Sequence, residues 1–263
     1  MRGGRAVTQD TDKSRRRGRW AARGWYRYLH AWSIMLSSVL FHMRVLGRRN
    51  VPRRGGVIIA ANHQSFLDPP LIGLGAPRQI SYLAAAYLFD LWRGFTWLIR
   101  SLNAIPVKRT GGDRQAYREM VNRLRAGGAV LMFPEGTRTW DGSIGPLRPG
   151  VWNIARRAGA PIVPAVIDGA HEAWPRGTPC PRPHPVRVMF GPPISAERVR
   201  ALTSDGLTDL LSERLNGLLD RCRATRSPED NWYRRGRRID PSSPPPSPSP
   251  RKGGGGSDDG RGG

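Results

Sequence analysis

Lysine, cysteine and long apolar runs are all scarce in this chain of 263 residues. Of its 43 basic residues, three are lysines and forty are arginines. The two cysteines, Cys180 and Cys222, lack the spacing of a disulfide framework or a metal site, which fits a reducing compartment. No P-loop, G-x-G-x-x-G or G-x-S-x-G motif occurs. These absences argue against a P-loop nucleotidase, a dinucleotide-binding enzyme and a serine hydrolase with a nucleophile elbow.

The net charge of +23 indicates an anionic partner, either a lipid surface or a nucleic acid, because a field of this size attracts phosphates. A composition-biased genome would produce the same excess of arginine, and both interpretations stand. The sequence has no recognisable nucleic-acid-binding motif, and its basic residues are scattered instead of interleaved with exposed aromatics. We therefore expect no nucleic-acid partner.

The N-terminal region is basic at first and then apolar. It has no small-residue cleavage site of the kind that ends a signal peptide. Its uncharged part, residues 31–43, is too short to span a bilayer. We predict a basic disordered leader at 1–24 and a helix at the membrane interface at 25–50, with an ordinary core helix as the alternative.

Strands and helices alternate from residue 57 onward, which predicts an α/β fold: a single domain at 51–223 in which helices flank a mixed central β-sheet. Residues 224–263 are basic and then rich in Pro, Ser and Gly, and we predict a disordered tail there. The predicted strands lie at 56–61, 80–86, 103–109, 129–133, 161–167 and 186–191. The predicted helices lie at 69–75, 113–126, 149–160 and 201–223.

The stretch ANHQSFLDPP places His63 directly after an apolar strand and Asp68 five residues later. Histidine can accept a proton near neutral pH, and an aspartate can orient its ring and stabilise the imidazolium. Asp68 before Pro69 is equally suited to cap a helix, and the two roles are compatible. Taken alone, the pair is a weak indication of catalysis.

A second stretch, FPEGTR, follows the strand AVLMF and places polar residues in a turn at its carboxyl end. Open α/β sheets bind their ligands at this edge. An arginine here can hold a phosphate with two parallel hydrogen bonds, which lysine cannot do. The stretch therefore predicts part of a binding site.

Four blocks, NHQSFLD, AIPVKR, FPEGTR and PIVPAVI, resemble in order and distance those of the glycerolipid acyltransferase family, typified by the 1-acylglycerol-3-phosphate acyltransferases. The resemblance extends from about residue 31 to residue 223. Three residues depart from the family pattern and leave the acceptor's identity open: Asn103, Lys108 and Thr139.

The resemblance implies that His63 is a general base and Asp68 its orienting partner. It also implies that Arg109 and four residues of the third block bind the acceptor: Glu135, Gly136, Thr137 and Arg138. Backbone N–H groups at the helix start would stabilise the oxyanion, so no acyl-enzyme, metal or cofactor is needed.

The resemblance implies transfer of a fatty acyl group from acyl-CoA or acyl carrier protein to the free hydroxyl of a lysophospholipid. The expected acceptor is 1-acylglycerol-3-phosphate, which gives phosphatidate. The expected location is an anionic membrane surface on the cytoplasmic face of the cell membrane. The alternatives are another lipid or glycerol-phosphate acceptor, a basic nucleic-acid-binding module and a catalytically inactive scaffold.

Overall fold

The computed structural model describes residues 40–85, 104–107 and 114–226. At 83–85 and 104–107 it describes only the strand backbone. Seven strands of these ranges form one sheet: β1 (Arg44–Leu46), β2 (Val57–Ala61), β3 (Ile80–Ala85), β4 (Ala104–Val107), β5 (Ala129–Met132), β6 (Ile162–Asp168) and β7 (Arg187–Phe190). The helices are α1 (Asp68–Gly75), α2 (Arg114–Arg125), α3 (Gly150–Ala158), α4 (Ala170–Ala173), α5 (Ala196–Ala201) and α6 (Ser204–Ala224).

The strand order across the sheet is β1-β7-β6-β2-β5-β3-β4. All neighbouring strands run parallel except β6 and β7, which are antiparallel. The mixed central sheet flanked by helices was predicted from the sequence and is confirmed. Strand β2 lies between β5 and β6, so the residues that follow it come out in the middle of the sheet.

Side chains of β2 alternate between two apolar cores, as the period of a strand requires. Ile59 packs on the side of α1, whereas Ile58 packs on the side of α2, α3 and α6. In α2 and α3, the side chains of Val121, Leu124, Val151 and Ile154 are buried in this second core, whereas Tyr117 and Ala158 are only partly buried. Both faces of β2 are covered, which explains its unbroken apolar sequence.

The prediction of a helix at 25–50 is wrong for its last residues, while residues 25–39 lie outside the described part of the chain. Residues 44–46 form the edge strand β1, which pairs with β7, and Arg48–Asn50 form a short 3-10 helix. The buried ring of Phe41 adds to the core, and its carbonyl accepts the N–H of Val186 at 2.8 Å. The folded domain therefore begins before residue 51.

The C-terminal boundaries also differ from the prediction. The helix predicted at 201–223 begins at Ser204 instead, because Thr203 caps α6 by accepting the N–H of Gly206 at 3.1 Å, and Ala201 is the last residue of α5. The predicted tail begins too early, since α6 ends at Ala224 and Arg226 pairs with Asp168 at 2.6 Å. Residues 227–263 of that tail lie outside the described part. Within the described ranges, no helix has the length and apolar character needed to cross a bilayer.

Candidate active site

Three loops meet at the carboxyl edge of the central strands. β2 runs parallel to both β5 and β6, so the loops that follow these three strands open at the same edge. Asn62, directly after β2, ties two of them together. Its side chain donates to the carbonyl of Ile167 at 3.0 Å and accepts the N–H of the same residue at 2.8 Å. The candidate site residues lie at this edge.

His63 and Asp68 are in direct contact. Nδ1 of His63 lies 2.7 Å from Oδ2 of Asp68. The Asp68 side chain is fully buried, whereas that of His63 is 19% exposed. Because the carboxylate engages Nδ1, Nε2 is the ring nitrogen through which His63 can exchange a proton.

Asp68 does not cap α1, contrary to one of its two predicted roles. Its Oδ2 accepts the N–H groups of Gln64 at 2.5 Å and Ser65 at 2.8 Å, which lie before the helix. The reason is local, because Pro69 and Pro70 have no N–H to be capped. The same contacts occupy two N–H groups near the helix start, so the oxyanion site expected there cannot use Gln64 and Ser65.

The ring of His63 is also held from one face. It stacks on Phe133, with ring centroids 4.0 Å apart and planes 16° apart. Burial raises the pKa of the Asp68 carboxyl, and the hydrogen bonds from His63, Ser65 and Gln64 oppose this rise. Within the described part, the second carboxyl oxygen, Oδ1, is buried without a hydrogen-bond partner. The hydrogen bonds of the Asp68 carboxylate thus converge on the oxygen that faces His63.

Glu135 holds the backbone of the histidine loop. The residue is buried, and its Oε1 accepts the N–H of His63 at 2.8 Å. Its Oε2 accepts the N–H of Gly145 at 2.9 Å. Burial raises the pKa of this carboxyl, and the two N–H groups oppose the rise. Both oxygens are therefore engaged with backbone, which indicates positioning of His63 instead of the predicted contact with an acceptor.

The last three residues of the FPEGTR stretch, Gly136 to Arg138, are exposed or half-buried. Gly136 has a φ of +69°, and a Cβ there would stand 3.0 Å from Nε of Arg148, so glycine fits both the backbone and the close neighbour. Thr137 is exposed. Arg138 is half-buried, with its Cζ 3.6 Å above the ring of Phe66. The predicted partner Arg109 lies outside the described residues.

Two further residues hold the site loops: Gln64, which was not predicted as a site residue, and Thr139, which was noted only as a departure from the family pattern. The N–H of Thr139 donates to the carbonyl of His63 at 2.8 Å, and its hydroxyl accepts the N–H of Gly142 at 3.1 Å. Gln64 donates to the carbonyl of Gly142 at 3.1 Å. The signal in the sequence for Gln64 was its place next to His63. No group of three or more His, Cys, Asp or Glu side chains among the described residues is arranged to hold a metal ion.

Comparison with known proteins agrees with this geometry. A family model described as Acyltransferase matches residues 42–168, a range that contains His63, Asp68 and the whole FPEGTR turn. Over this range the chain resembles the glycerolipid acyltransferase family. It is 29% identical over 179 residues to the 1-acyl-sn-glycerol-3-phosphate acyltransferase of Bacillus subtilis (strain 168), a match that covers 66% of this chain and 84% of that protein.

Two plant relatives have longer chains. The enzyme of the same name from Limnanthes douglasii is 42% identical over 164 residues, which cover 59% of this chain and 55% of that protein. The chloroplastic enzyme BAT2 of Brassica napus is 27% identical over 190 residues, which cover 70% of this chain and 54% of that protein. The chain thus spans about half the length of these two relatives.

A solved structure also matches this fold. The crystal structure of the 1-acyl-sn-glycerophosphate (LPA) acyltransferase PlsC from Thermotoga maritima superposes with a TM-score of 0.64 at 26% identity. The match covers 77% of this chain and 82% of that one. The sheet and helices of this acyltransferase domain therefore have a counterpart in a solved acyltransferase.

Proposed function

We propose that the chain is an O-acyltransferase that transfers a fatty acyl group from an acyl thioester to the free hydroxyl of 1-acylglycerol-3-phosphate and forms phosphatidate. The observation that carries the proposal is the contact of 2.7 Å between His63 and Asp68, at the sheet edge formed by the family's motifs. Relatives with the printed name 1-acyl-sn-glycerol-3-phosphate acyltransferase support the choice of acceptor.

His63 acts as general base in this reaction. Nε2 takes the proton of the acceptor hydroxyl while the oxygen attacks the thioester carbonyl carbon. The tetrahedral intermediate collapses, the carbon–sulfur bond breaks, and the imidazolium returns its proton to the leaving thiolate. Asp68 stabilises the imidazolium between the two proton transfers. The acyl group passes directly from sulfur to oxygen, so the step uses no protein nucleophile and no cofactor.

Arg138 binds the acceptor phosphate in the proposed complex, together with Arg109 of the second motif. The guanidinium carbon of Arg138 lies 3.6 Å from the centre of the Phe66 ring, a contact that restrains the side chain, and the planar guanidinium group suits a bidentate contact with phosphate. Gly136 and Thr137 complete the turn beside it. Glu135 does not bind the acceptor in this proposal; it positions His63 by accepting the backbone N–H of that residue.

The proposed location is the cytoplasmic face of the cell membrane, where lysophospholipid acceptors reside. The charge of +23 favours an anionic lipid surface. The basic leader and the predicted interface helix would supply part of this attraction. Acyl-CoA and acyl carrier protein are the two candidate donors.

A panel of acceptors and donors tests the function directly. The purified full-length chain in detergent would be offered lysophosphatidate, other lysophospholipids and glycerol 3-phosphate, each with acyl-CoA and with acyl-acyl carrier protein. Mass spectrometry of the products would identify the pair used. We expect phosphatidate from lysophosphatidate, and none from a His63→Ala variant. Formation of phosphatidate by His63→Ala at more than a tenth of the wild-type rate would refute the role of this histidine, since loss of a base costs about 10²–10⁴-fold.

A further inference from the structure

Two large apolar side chains of the described residues are more than half exposed, and both lie beside the candidate active site. Phe66, three residues after His63, is 51% exposed. Trp140 is 78% exposed and follows Thr139, whose N–H bonds the His63 carbonyl. Exposed aromatic side chains of this size usually mark an interaction surface when they form a patch.

An arginine side chain lies over each of these two rings. Cζ of Arg138 lies 3.6 Å above the Phe66 ring, and Cζ of Arg176 lies 4.0 Å from the centre of the Trp140 ring. The two pairs are joined, because Arg176 donates to the backbone carbonyl of Arg138 at 3.1 Å. Trp174 extends the patch, with its ring centre 5.7 Å from that of Phe66. We call these five residues the aromatic–arginine patch.

The patch and the candidate catalytic pair lie on the same side of the domain. Phe66 stands in the loop after β2, and Trp140 stands in the loop after β5, two parallel strands whose carboxyl ends are neighbours. Ser65 fixes Trp174 to the first of these loops by donating to its carbonyl at 3.0 Å. Anything bound by the patch is therefore brought close to the partly exposed side chain of His63.

We propose that the aromatic–arginine patch is a membrane-docking surface, which places the side of the domain that carries His63 directly on an anionic lipid bilayer. Tryptophan rings prefer the headgroup level of a bilayer, where their apolar body is buried and their N–H remains solvated. Arginines at the same depth attract anionic headgroups and bury their stems along the apolar surface. This proposal rests on the proposed function, because it takes the acceptor to be a lipid.

Charge favours a bilayer over a second protein as the occupant. Arg138 and Arg176 bring two positive charges to the patch, and the whole chain adds a field of +23. The nearby carboxylate of Asp141 is engaged by the hydroxyl of Ser143 at 2.6 Å and that of Thr139 at 2.9 Å. A single-stranded nucleic acid is less suited, because guanidinium groups already cover one face of the Phe66 and Trp140 rings.

Vesicle binding by the full-length chain tests the surface. Vesicles of equal parts phosphatidylglycerol and phosphatidylcholine would be compared with vesicles of phosphatidylcholine alone. We expect Trp140→Ala to lower partition into both by about tenfold, because a large exposed ring no longer enters the interface. Arg176→Gln should lower partition by about fivefold, and only into the anionic vesicles. Unchanged partition of both variants would overturn the proposal.

Two controls separate docking from misfolding. Arg156→Gln also removes a guanidinium from above a ring, that of Trp152 at 5.0 Å, but on α3 outside the patch, and it should bind vesicles like the wild type. Trp140→Phe keeps an aromatic ring and should retain binding. Brominated phospholipid quenches the fluorescence of tryptophans that reach the lipid, so the quenching should decrease in Trp140→Phe by the contribution of Trp140. Equal quenching in Trp140→Phe and the wild type would mean that Trp140 does not reach the lipid.

Kinetics separate this surface from the proposed reaction. A short-chain acceptor dissolved in water should be acylated equally by the wild type and Trp140→Ala, whereas an acceptor presented in anionic vesicles should be acylated about tenfold more slowly by the variant. If the wild type acylated neither acceptor, the proposed function would fail, yet vesicle binding would still decide the docking surface. If the patch variants lost binding to a single-stranded oligonucleotide and kept their partition into vesicles, the bilayer would be the wrong occupant.

Discussion

The backbone N–H of His63 donates to Oε1 of Glu135 at 2.8 Å, across 72 positions of the sequence. The other carboxyl oxygen of Glu135 accepts the N–H of Gly145, so one buried side chain joins the histidine loop to the end of the following loop. A carboxylate can accept from both N–H groups at once, whereas an amide side chain has one oxygen and one NH₂ group. The site therefore depends on the charge and symmetry of this residue.

Glu135→Gln should consequently lower kcat while leaving the KM for the acceptor nearly unchanged. The glutamine NH₂ group would face an N–H, and the unpaired donor costs about 1–3 kcal/mol of stability. Chemical denaturation and steady-state kinetics would measure the two effects. The control is Glu119→Gln on α2, where the carboxyl pairs with Arg123 and is 45% exposed. A rise in acceptor KM with unchanged kcat would instead mean that Glu135 binds the acceptor.

Local sequence explains which parts of this fold could be predicted. The apolar run of β2 predicts a buried strand, and the four- and three-residue spacings of Tyr117, Val121 and Leu124 predict the helix α2, each from a few neighbouring residues. Strand β1 could not be recognised, because it has three residues and is defined by its pairing with β7. The hydrogen bond between Glu135 and the N–H of His63 is equally non-local, since it requires β2 and β5 to be neighbours. The motif marked Glu135 as a site residue, but only the sheet shows what it touches.

Asp68→Asn should separate the charge of the carboxylate from its geometry. Oδ2 of Asp68 receives the contacts of His63, Gln64 and Ser65, so an asparagine oxygen at this position would still hold Nδ1–H and the same ring orientation. Its NH₂ group would occupy the buried, unpartnered position of Oδ1. The lost charge no longer stabilises the imidazolium, and we expect turnover to fall about 10²–10⁴-fold.

Nitrogen NMR of the His63 ring provides the matching check on Asp68→Asn. The proton should remain on Nδ1 in the variant, although activity is lost. Asp68→Ala should lose both activity and the fixed tautomer. Wild-type turnover in Asp68→Asn would show that the negative charge is not required.

The two cysteines should differ sharply in reactivity. Cys180 is exposed, whereas burial raises the pKa of the Cys222 thiol to about 12. A thiol reagent at pH 8 should therefore modify one cysteine in the native chain and two in denaturant. Because the unfolded thiol ionises from its ordinary pKa of about 9, the unfolded state is favoured as pH rises from about 9 to 12. Cys222→Ala should weaken this alkaline loss of stability, and a native Cys222 that reacts as fast as Cys180 would contradict its burial.

Deleting residues 1–39 should reduce binding to anionic vesicles while preserving the fold. The deletion removes the basic leader, in which each arginine near the surface contributes about 1 kcal/mol. It must stop before Phe41, because that ring is buried in the core and its carbonyl bonds Val186. Co-sedimentation with vesicles and thermal unfolding would be measured together. Full retention on vesicles would show that the leader and the predicted interface helix contribute nothing to binding.

Arg138→Lys provides the sharpest test of the acceptor site. Lysine keeps the positive charge but loses the planar fork, so attraction of the phosphate survives while its orientation is lost. A charge-assisted contact is worth roughly 1.5–3 kcal/mol, which corresponds to a loss of about 10- to 150-fold in kcat/KM for the phosphorylated acceptor. The variant also loses the guanidinium from above the Phe66 ring. Arg156→Lys, which alters a comparable contact on Trp152, serves as the control.

The decisive comparison for Arg138→Lys is between two reactions of the same variant. Hydrolysis of the thioester by water needs His63 but no phosphate, so it should fall far less than acyl transfer does. A lysophospholipid without a free phosphomonoester should likewise be affected less than lysophosphatidate, because it cannot form the same bidentate contact. If transfer and hydrolysis fell together, Arg138 would support the loop or the donor. The phosphate site would then have to lie with Arg109 and other residues.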